Sequence, residues 1–234
     1  MMSHHFLTYA ADQREAKYHR HLDLHVQDTP GMRMGILGYG AIGRQVAKVA
    51  QAMGMEIYAY TRSEKSTPES RYDDSYCVPG TGDPHGLVPT KWFHGGSKGD
   101  INSFLAQDLD ILVLSLPLTE ETRHILGPEQ FEILSKKKTF VSNIARGPHI
   151  DQDALIDALK TGKIRGAALD VTDPEPLPDG HPLYSAPNIF ITPHVSWQSP
   201  HYFTRVQAII ERNLASLAGD GTKMINVMDK SRGY

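Results

Sequence analysis

The stretch Arg33-Met34-Gly35-Ile36-Leu37-Gly38-Tyr39-Gly40-Ala41-Ile42-Gly43-Arg44 decides the fold. Its first five residues read as a short buried strand. Residues 42–53 read as a helix with Ile42, Val46, Val49 and Ala50 on its apolar side. Between the two, Gly38, Gly40 and Gly43 fit the spacing G-x-G-x-x-G, a weak signal alone but a specific one between a strand and a helix. Gly38 permits the tight turn, Gly40 lets backbone approach a pyrophosphate, and Gly43 lets helix and strand pack closely. The helix start at Ala41-Ile42 offers unpaired N–H groups and a positive dipole end to an anion. A glycine turn that holds no ligand is the plain alternative.

Outward from this stretch the pattern repeats. Residues 56–60 form a second strand, and 110–116 (DILVLSL) is the continuous apolar kind buried on both faces of a parallel sheet. Further strands are expected at 139–144, 164–171 and 189–192, with helices at 101–105 and 128–134 between them. Asp151 caps another helix that stops at Gly162, and Ser199-Pro200 opens a last long helix that Gly219 ends. Strands alternating with helices give an α/β fold with a doubly wound, Rossmann-like parallel sheet. Residues 63–100, with Pro68, Pro79, Pro84, Pro89 and Gly95, Gly96 and Gly99, read as an irregular insertion. Residues 3–20 show a broken helical pattern leading to a polar arm that turns at Thr29-Pro30-Gly31. The chain thus divides into a helix and arm (1–30), a dinucleotide-binding domain (31–197) and a C-terminal helix and tail (198–234).

Composition narrows the class. With 234 residues, 40% hydrophobic and a net charge of −3, the chain can bury a full α/β core and is not wholly disordered. No basic stripe marks a nucleic-acid partner, and Lys136-Lys137-Lys138 reads as a solvated helix end. No apolar run approaches the roughly 20 residues of a membrane span. Met1-Met2-Ser3-His4-His5-Phe6 lacks the basic-then-apolar pattern of a signal peptide. One cysteine, Cys77, excludes an internal disulfide, which leads to the expectation of a reducing, cytoplasmic setting. His19, His21 and His25 match no metal-ligand signature, and no cysteine or acidic cluster joins them in sequence, so no metal site is expected.

The end of the second strand decides between cofactors. An NAD site places Asp or Glu roughly 20 residues beyond the glycine loop to bind the ribose 2′-hydroxyl. Here that place holds Thr61-Arg62-Ser63, with Lys65 nearby. With no acid at 61–63 to repel a 2′-phosphate and Arg62 able to pair with one, the expectation is NADP(H), with NAD(H) as a second possibility.

Three polar segments then follow three successive strands: Asn143-Ile144-Ala145-Arg146-Gly147, Leu169-Asp170-Val171 through Glu175-Pro176, and Thr192-Pro193-His194-Val195-Ser196-Trp197. Open α/β sheets bind ligands at these strand ends. A guanidinium clamps a carboxylate, and a histidine oriented by a carboxylate transfers a proton. Each residue alone would pass as structural; Arg146, Glu175 and His194 in that order below a dinucleotide loop form a chemical set. Trp92 and Trp197 read as packing residues, with a place lining the substrate pocket as the alternative for Trp197, which follows His194 closely.

At these residues the sequence resembles the D-isomer-specific 2-hydroxyacid dehydrogenase family, across 31–234 apart from the insertion. The resemblance rests on the three glycines, on Leu116-Pro117-Leu118-Thr119 with Thr122, on the Arg146 segment, on Asp170-Val171 with Glu175-Pro176, on His194, and on the tail from Asn226 to Tyr234. It implies that Arg146 binds the substrate carboxylate, that His194 is the general acid/base and that Glu175 is its partner. It also implies dinucleotide contacts at Ala41, Ile42, Leu116, Pro117, Thr122, Ile144, Ala145 and Asp170, alongside Arg146 and His194. The implied activity is reduction of a small 2-oxo acid such as glyoxylate or hydroxypyruvate, in a homodimer packed through its nucleotide domains. Family members carry about a hundred further residues ahead of this segment, enough for a small domain. Those residues form most of a substrate-binding domain, so the chain reads as a piece or a shortened member. A catalytically silent nucleotide-binding or interaction module is therefore the competing expectation.

Overall fold

A computed structural model describes residues 5–24, 26–219 and 221–228. The readings placed on residues 1–4, on His25 and on 229–234 lie outside the described residues. Seven parallel strands make one sheet: β1 (Arg33–Leu37), β2 (Glu56–Thr61), β3 (Lys91–His94), β4 (Ile111–Leu114), β5 (Phe140–Asn143), β6 (Gly166–Leu169) and β7 (Ile189–Ile191). Their order is β3-β2-β1-β4-β5-β6-β7, so the winding reverses between β1 and β4. That reversal opens a crevice at the carboxyl ends of the strands.

Side chains alternate between the two faces with the strand period of two. Met34 and Ile36 of β1, Ile57 and Ala59 of β2, and Val113 of β4 pack with Ala47 and Ala50 of helix α2 (Ala41–Ala52). Leu37, Tyr58, Tyr60, Leu112 and Leu114 point the other way. They meet α4 (Lys98–Leu105), α5 (Pro128–Ser135) and α6 (Gln152–Lys160) through Phe104, Phe131 and Leu155. Each such fully buried apolar side chain contributes about 1.5–3 kcal/mol, which is why the strands can be so short. The doubly wound sheet expected from the sequence is thus present.

The segment 63–100 departs from the expected irregular insertion. It contains a short helix, α3 (Pro68–Arg71), the edge strand β3 and the start of α4. Exposed Lys91 and His94 around half-buried Trp92 and Phe93, between Pro89 and Gly95, give no periodic signal, because an edge strand has only one neighbour to satisfy. The rest is anchored by Arg44 of α2, which is 4% exposed. Its guanidinium donates to the backbone carbonyls of Asp83 and Arg71, and its Nε lies 3.1 Å from the Asp73 carboxylate. Tyr39 adds a hydroxyl bond of 2.9 Å to Asp83.

Two helices flank the sheet domain in sequence, α1 (Phe6–Arg14) and α7 (Tyr202–Leu217). α7 starts later than Ser199-Pro200 suggested. His201 occupies its cap position, while the Ser199 hydroxyl takes the His201 N–H inside the preceding turn. Among the described residues, no helix is long and apolar enough to cross a membrane.

Candidate active site

The glycine loop sits where β1 and β4 end side by side. Gly38 has φ +94°, and a Cβ there would stand 2.7 Å from the Leu116 backbone nitrogen, so only glycine fits. The Ser115 hydroxyl closes the same contact with a 2.6 Å bond to the Gly38 carbonyl. Gly40 is the N-cap of α2 and supplies no side-chain acceptor, leaving the first N–H groups of the helix to a ligand. A Cβ on Gly40 would meet nothing within 4 Å, so the space above the loop is open. These features suit a pyrophosphate. Ala41 and Ile42 are exposed at the helix start and Gly43 is buried beneath it.

A cavity of about 670 Å³ opens beside the loop. It brings together Gly38, Gly40, Thr61, Arg62, Leu116, Pro117 and Thr122 of the expected cofactor contacts. Ala41, Ile42, Gly43, Ser63, Ile144, Ala145, Arg146, Asp170 and His194 are not among its lining residues. Thr122 lines the cavity but spends its hydroxyl on the loop itself, accepting from Thr119 N–H at 2.8 Å and donating to the Pro117 carbonyl at 2.9 Å.

One expectation about the cavity is corrected. An acid does stand at the end of β2, supplied from far along the chain. Glu121 forms a two-pronged ion pair with Arg62, one contact being 3.2 Å, and both residues line the cavity. The Arg62 hydrogen bond and charge hold the Glu121 carboxyl below its ordinary range.

The residues expected to be catalytic, Arg146, Glu175 and His194, lie on loops tied to one another at the ends of β5, β6 and β7. Asn143, the last residue of β5, accepts the Ala145 N–H at 3.0 Å and donates to the Arg146 carbonyl at 2.9 Å, which shapes the Arg146 turn. Gly147 lies so close to the loop after β6 that a Cβ would stand 1.8 Å from the Thr172 carbonyl oxygen. Gln152 adds a bond to the Asp173 N–H at 3.0 Å. The His194 N–H donates to the Asp170 carbonyl at 2.8 Å, joining the third loop to the second. His194 is in the left-handed region, φ +53°, a conformation that costs a non-glycine residue about 1–2 kcal/mol. Its Nδ1 contacts the Glu175 carboxylate, and both side chains are about one-third exposed. Arg146 is exposed and donates to the Ala145 carbonyl at 2.6 Å.

Several residues in this rim do work that the sequence did not announce. His149 is buried, takes the Arg146 N–H at Nδ1 (3.2 Å) and donates from Nε2 to the Pro117 carbonyl (3.2 Å). It therefore joins the Arg146 turn to the cavity floor, and burial pushes its pKa below the ordinary histidine value. Asp170 holds the His194 turn rather than lining the cavity: its carboxylate accepts from Thr192 Oγ1, Val195 N, Ser196 N and Ser196 Oγ. Trp197 is half exposed, packs edge-on to Tyr202 at 5.0 Å and donates to the His194 carbonyl at 2.8 Å. Trp92 also packs, edge-on to Tyr39 at 5.0 Å. Far from the rim, the expected isolation of the arm histidines from acids also fails, because Asp12 contacts both His19 and His21.

The sequence matches the family model described as D-isomer specific 2-hydroxyacid dehydrogenase, NAD binding domain, over residues 1–78 and 91–196. It is 34% identical over 190 residues to a glycerate dehydrogenase of Methylorubrum extorquens, covering 80% of this chain and 50% of that protein. It is also 34% identical over 188 residues to a glyoxylate reductase of Aeropyrum pernix, covering 80% and 49%. The chain therefore spans about half the length of these relatives. Among solved structures, a D-isomer specific 2-hydroxyacid dehydrogenase from Xanthobacter autotrophicus Py2, in complex with NADPH and MES, superposes with a TM-score of 0.73. That likeness holds at 32% identity over 97% of this chain and 81% of that one. Sequence, sheet order and strand-end residues converge: the chain belongs to the D-isomer specific 2-hydroxyacid dehydrogenase family, through its NAD-binding domain.

Proposed function

We propose that this chain is the nucleotide-binding and catalytic part of an NADP(H)-preferring reductase of small 2-oxo acids, of the glyoxylate or hydroxypyruvate type. The observation that carries the reading is the His194–Glu175 pair, held on the same interlocked rim as Arg146. Arg146 leaves its Ala145 carbonyl to clamp the substrate carboxylate and polarise the neighbouring ketone. His194 hands a proton to the ketone oxygen, and Glu175 fixes the imidazole's orientation. A nicotinamide dinucleotide, seated by Gly38, Gly40, the start of α2, Leu116, Pro117, Ile144 and Ala145, would supply the hydride. Arg62 pairs with the 2′-phosphate once Glu121 releases it, while NAD(H) is accepted less well.

The homodimer belongs to the same proposal. It packs through the nucleotide-binding domains, and Phe203, Ile210, Leu214 and Leu217 add an exposed apolar stripe along the adjoining α7. A cytoplasmic setting also remains part of it, resting on the single cysteine.

The test is NADPH oxidation with glyoxylate and hydroxypyruvate, with NADH alongside. Turnover that favours NADPH and is lost in Arg146→Ala and His194→Ala supports the reductase; variants with full activity overturn it. The second reading, a silent nucleotide-binding module, is favoured by the span of only half the relatives' length. Dinucleotide binding by folded protein without turnover would select it.

A further inference from the structure

Among the described residues, one cluster outside the cavity and its rim gathers metal-ligating atoms. Asp12 lies in the last turn of α1. The chain reverses just beyond, with the Lys17 N–H bonded to the Asp12 carbonyl at 2.9 Å, and brings His19 and His21 back over that carboxylate. His21 Nε2 is 2.5 Å from Asp12 Oδ2, and His19 Nδ1 is 3.6 Å from Asp12 Oδ1. One ligand atom from each residue lies within 4.8 Å of the other two. The Tyr9 ring stands edge-on to His21 at 5.6 Å and fixes its plane. Lys17 is turned away, onto Glu15.

The geometry points to Asp12, His19 and His21 as a site for one divalent transition-metal ion, zinc being the chemical type. Donors around a tetrahedral ion bound at 2.0–2.1 Å stand about 3.3 Å apart. The contacts of 2.5 and 3.6 Å, to the two different Asp12 oxygens, lie on either side of that value, and the three ligand atoms lie within 4.8 Å of one another, so side-chain rotation would bring them around one ion. Two imidazoles and one carboxylate, without sulfur, suit Zn²⁺, Co²⁺ or Ni²⁺, whereas Ca²⁺ and Mg²⁺ ask for all-oxygen shells. Asp12 is also an anion near a helix carboxyl end, where the dipole disfavours negative charge and a cation offsets it. Three protein ligands leave a fourth position to water. The bound ion fastens the arm to α1.

Equilibrium dialysis of the full chain against Zn²⁺, followed by metal analysis, tests the site, with Co²⁺ absorption reporting its geometry. One tight ion per chain is expected, at least tenfold weaker in Asp12→Asn, which keeps every histidine and so separates this cluster from general histidine binding. His19→Ala, at an exposed position that the fold does not need, must weaken binding as well. Zn²⁺ should slow proteolytic cleavage between residues 15 and 24 in the wild type but not in Asp12→Asn. No ion at micromolar Zn²⁺, or equal binding by the wild type and Asp12→Asn, overturns the assignment.

Discussion

Replacing Asp170 by asparagine tests what holds the His194 turn in place. The carboxylate accepts four hydrogen bonds: Oδ1 from Thr192 Oγ1 (2.5 Å) and Val195 N (3.0 Å), Oδ2 from Ser196 N (3.0 Å) and Ser196 Oγ (2.5 Å). An asparagine keeps one oxygen, so two bonds survive without their charge. Its amide then faces the Ser196 N–H, donor against donor. Hydrogen bonds to a charged acceptor are each worth about 1.5–3 kcal/mol, so losing two and weakening two costs about 3–4 kcal/mol. In urea this lowers the unfolding midpoint by about 1–2 M. Ser196→Ala removes only one hydroxyl and costs about 1 kcal/mol. The pH dependence adds a second check. Burial works to raise the Asp170 carboxyl, but the Ser196, Thr192 and Val195 bonds prevail and hold it below its ordinary value. A depressed native pKa means that the stabilisation is complete above the unfolded value of about 3.9 and is lost as pH falls through the native one. The gap between wild type and Asp170→Asn should therefore close in acid. A gap under about 0.5 kcal/mol at neutral pH, or one unchanged at low pH, would refute this account.

Other outcomes follow from the same contacts. Gly147→Ala puts a Cβ 1.8 Å from the Thr172 carbonyl oxygen, a backbone atom that cannot swing aside, and should cost about 3 kcal/mol or more in thermal or urea unfolding. Burial depresses the His149 pKa, so its stabilising effect is full above about pH 6.5 and is lost as pH falls; His149→Gln should flatten the stability curve between pH 7.5 and 5.5. Arg62→Ala should weaken NADPH binding about tenfold while leaving NADH unchanged, and Glu121→Gln should strengthen NADPH binding, both read by nucleotide fluorescence titration. Equal NADPH affinity in all three proteins would remove the Arg62–Glu121 pair from cofactor choice.

Local pattern carried most of the architecture. The glycine loop, the apolar run that becomes β4 and the polar residues closing β5, β6 and β7 are all chain neighbours of the strands that place them. What stayed hidden depends on partners distant in sequence. Glu121 meets Arg62 across 59 residues, and no property of either position announces the other. Arg44 looks like a surface helix charge until Asp73 and Asp83 close over it. His149 gave no signal because its task, bridging Pro117 and Arg146, exists only after β4 and β5 lie side by side. β3 lacked periodicity because edge position frees half of its surface from the core.

The burial of Arg44 has an evolutionary corollary. A single guanidinium holds three separate places, at Arg71, Asp73 and Asp83, from the same helix whose first turn borders the proposed dinucleotide site. Loss of that cation leaves the partly buried Asp73 carboxylate without its partner, and loss of Asp73 leaves a buried cation without its counter-charge, so each single change is costly. Positions 44 and 73 should therefore drift in concert among close relatives, the intervening loop lengthening or shortening only where both have already been exchanged for neutral residues.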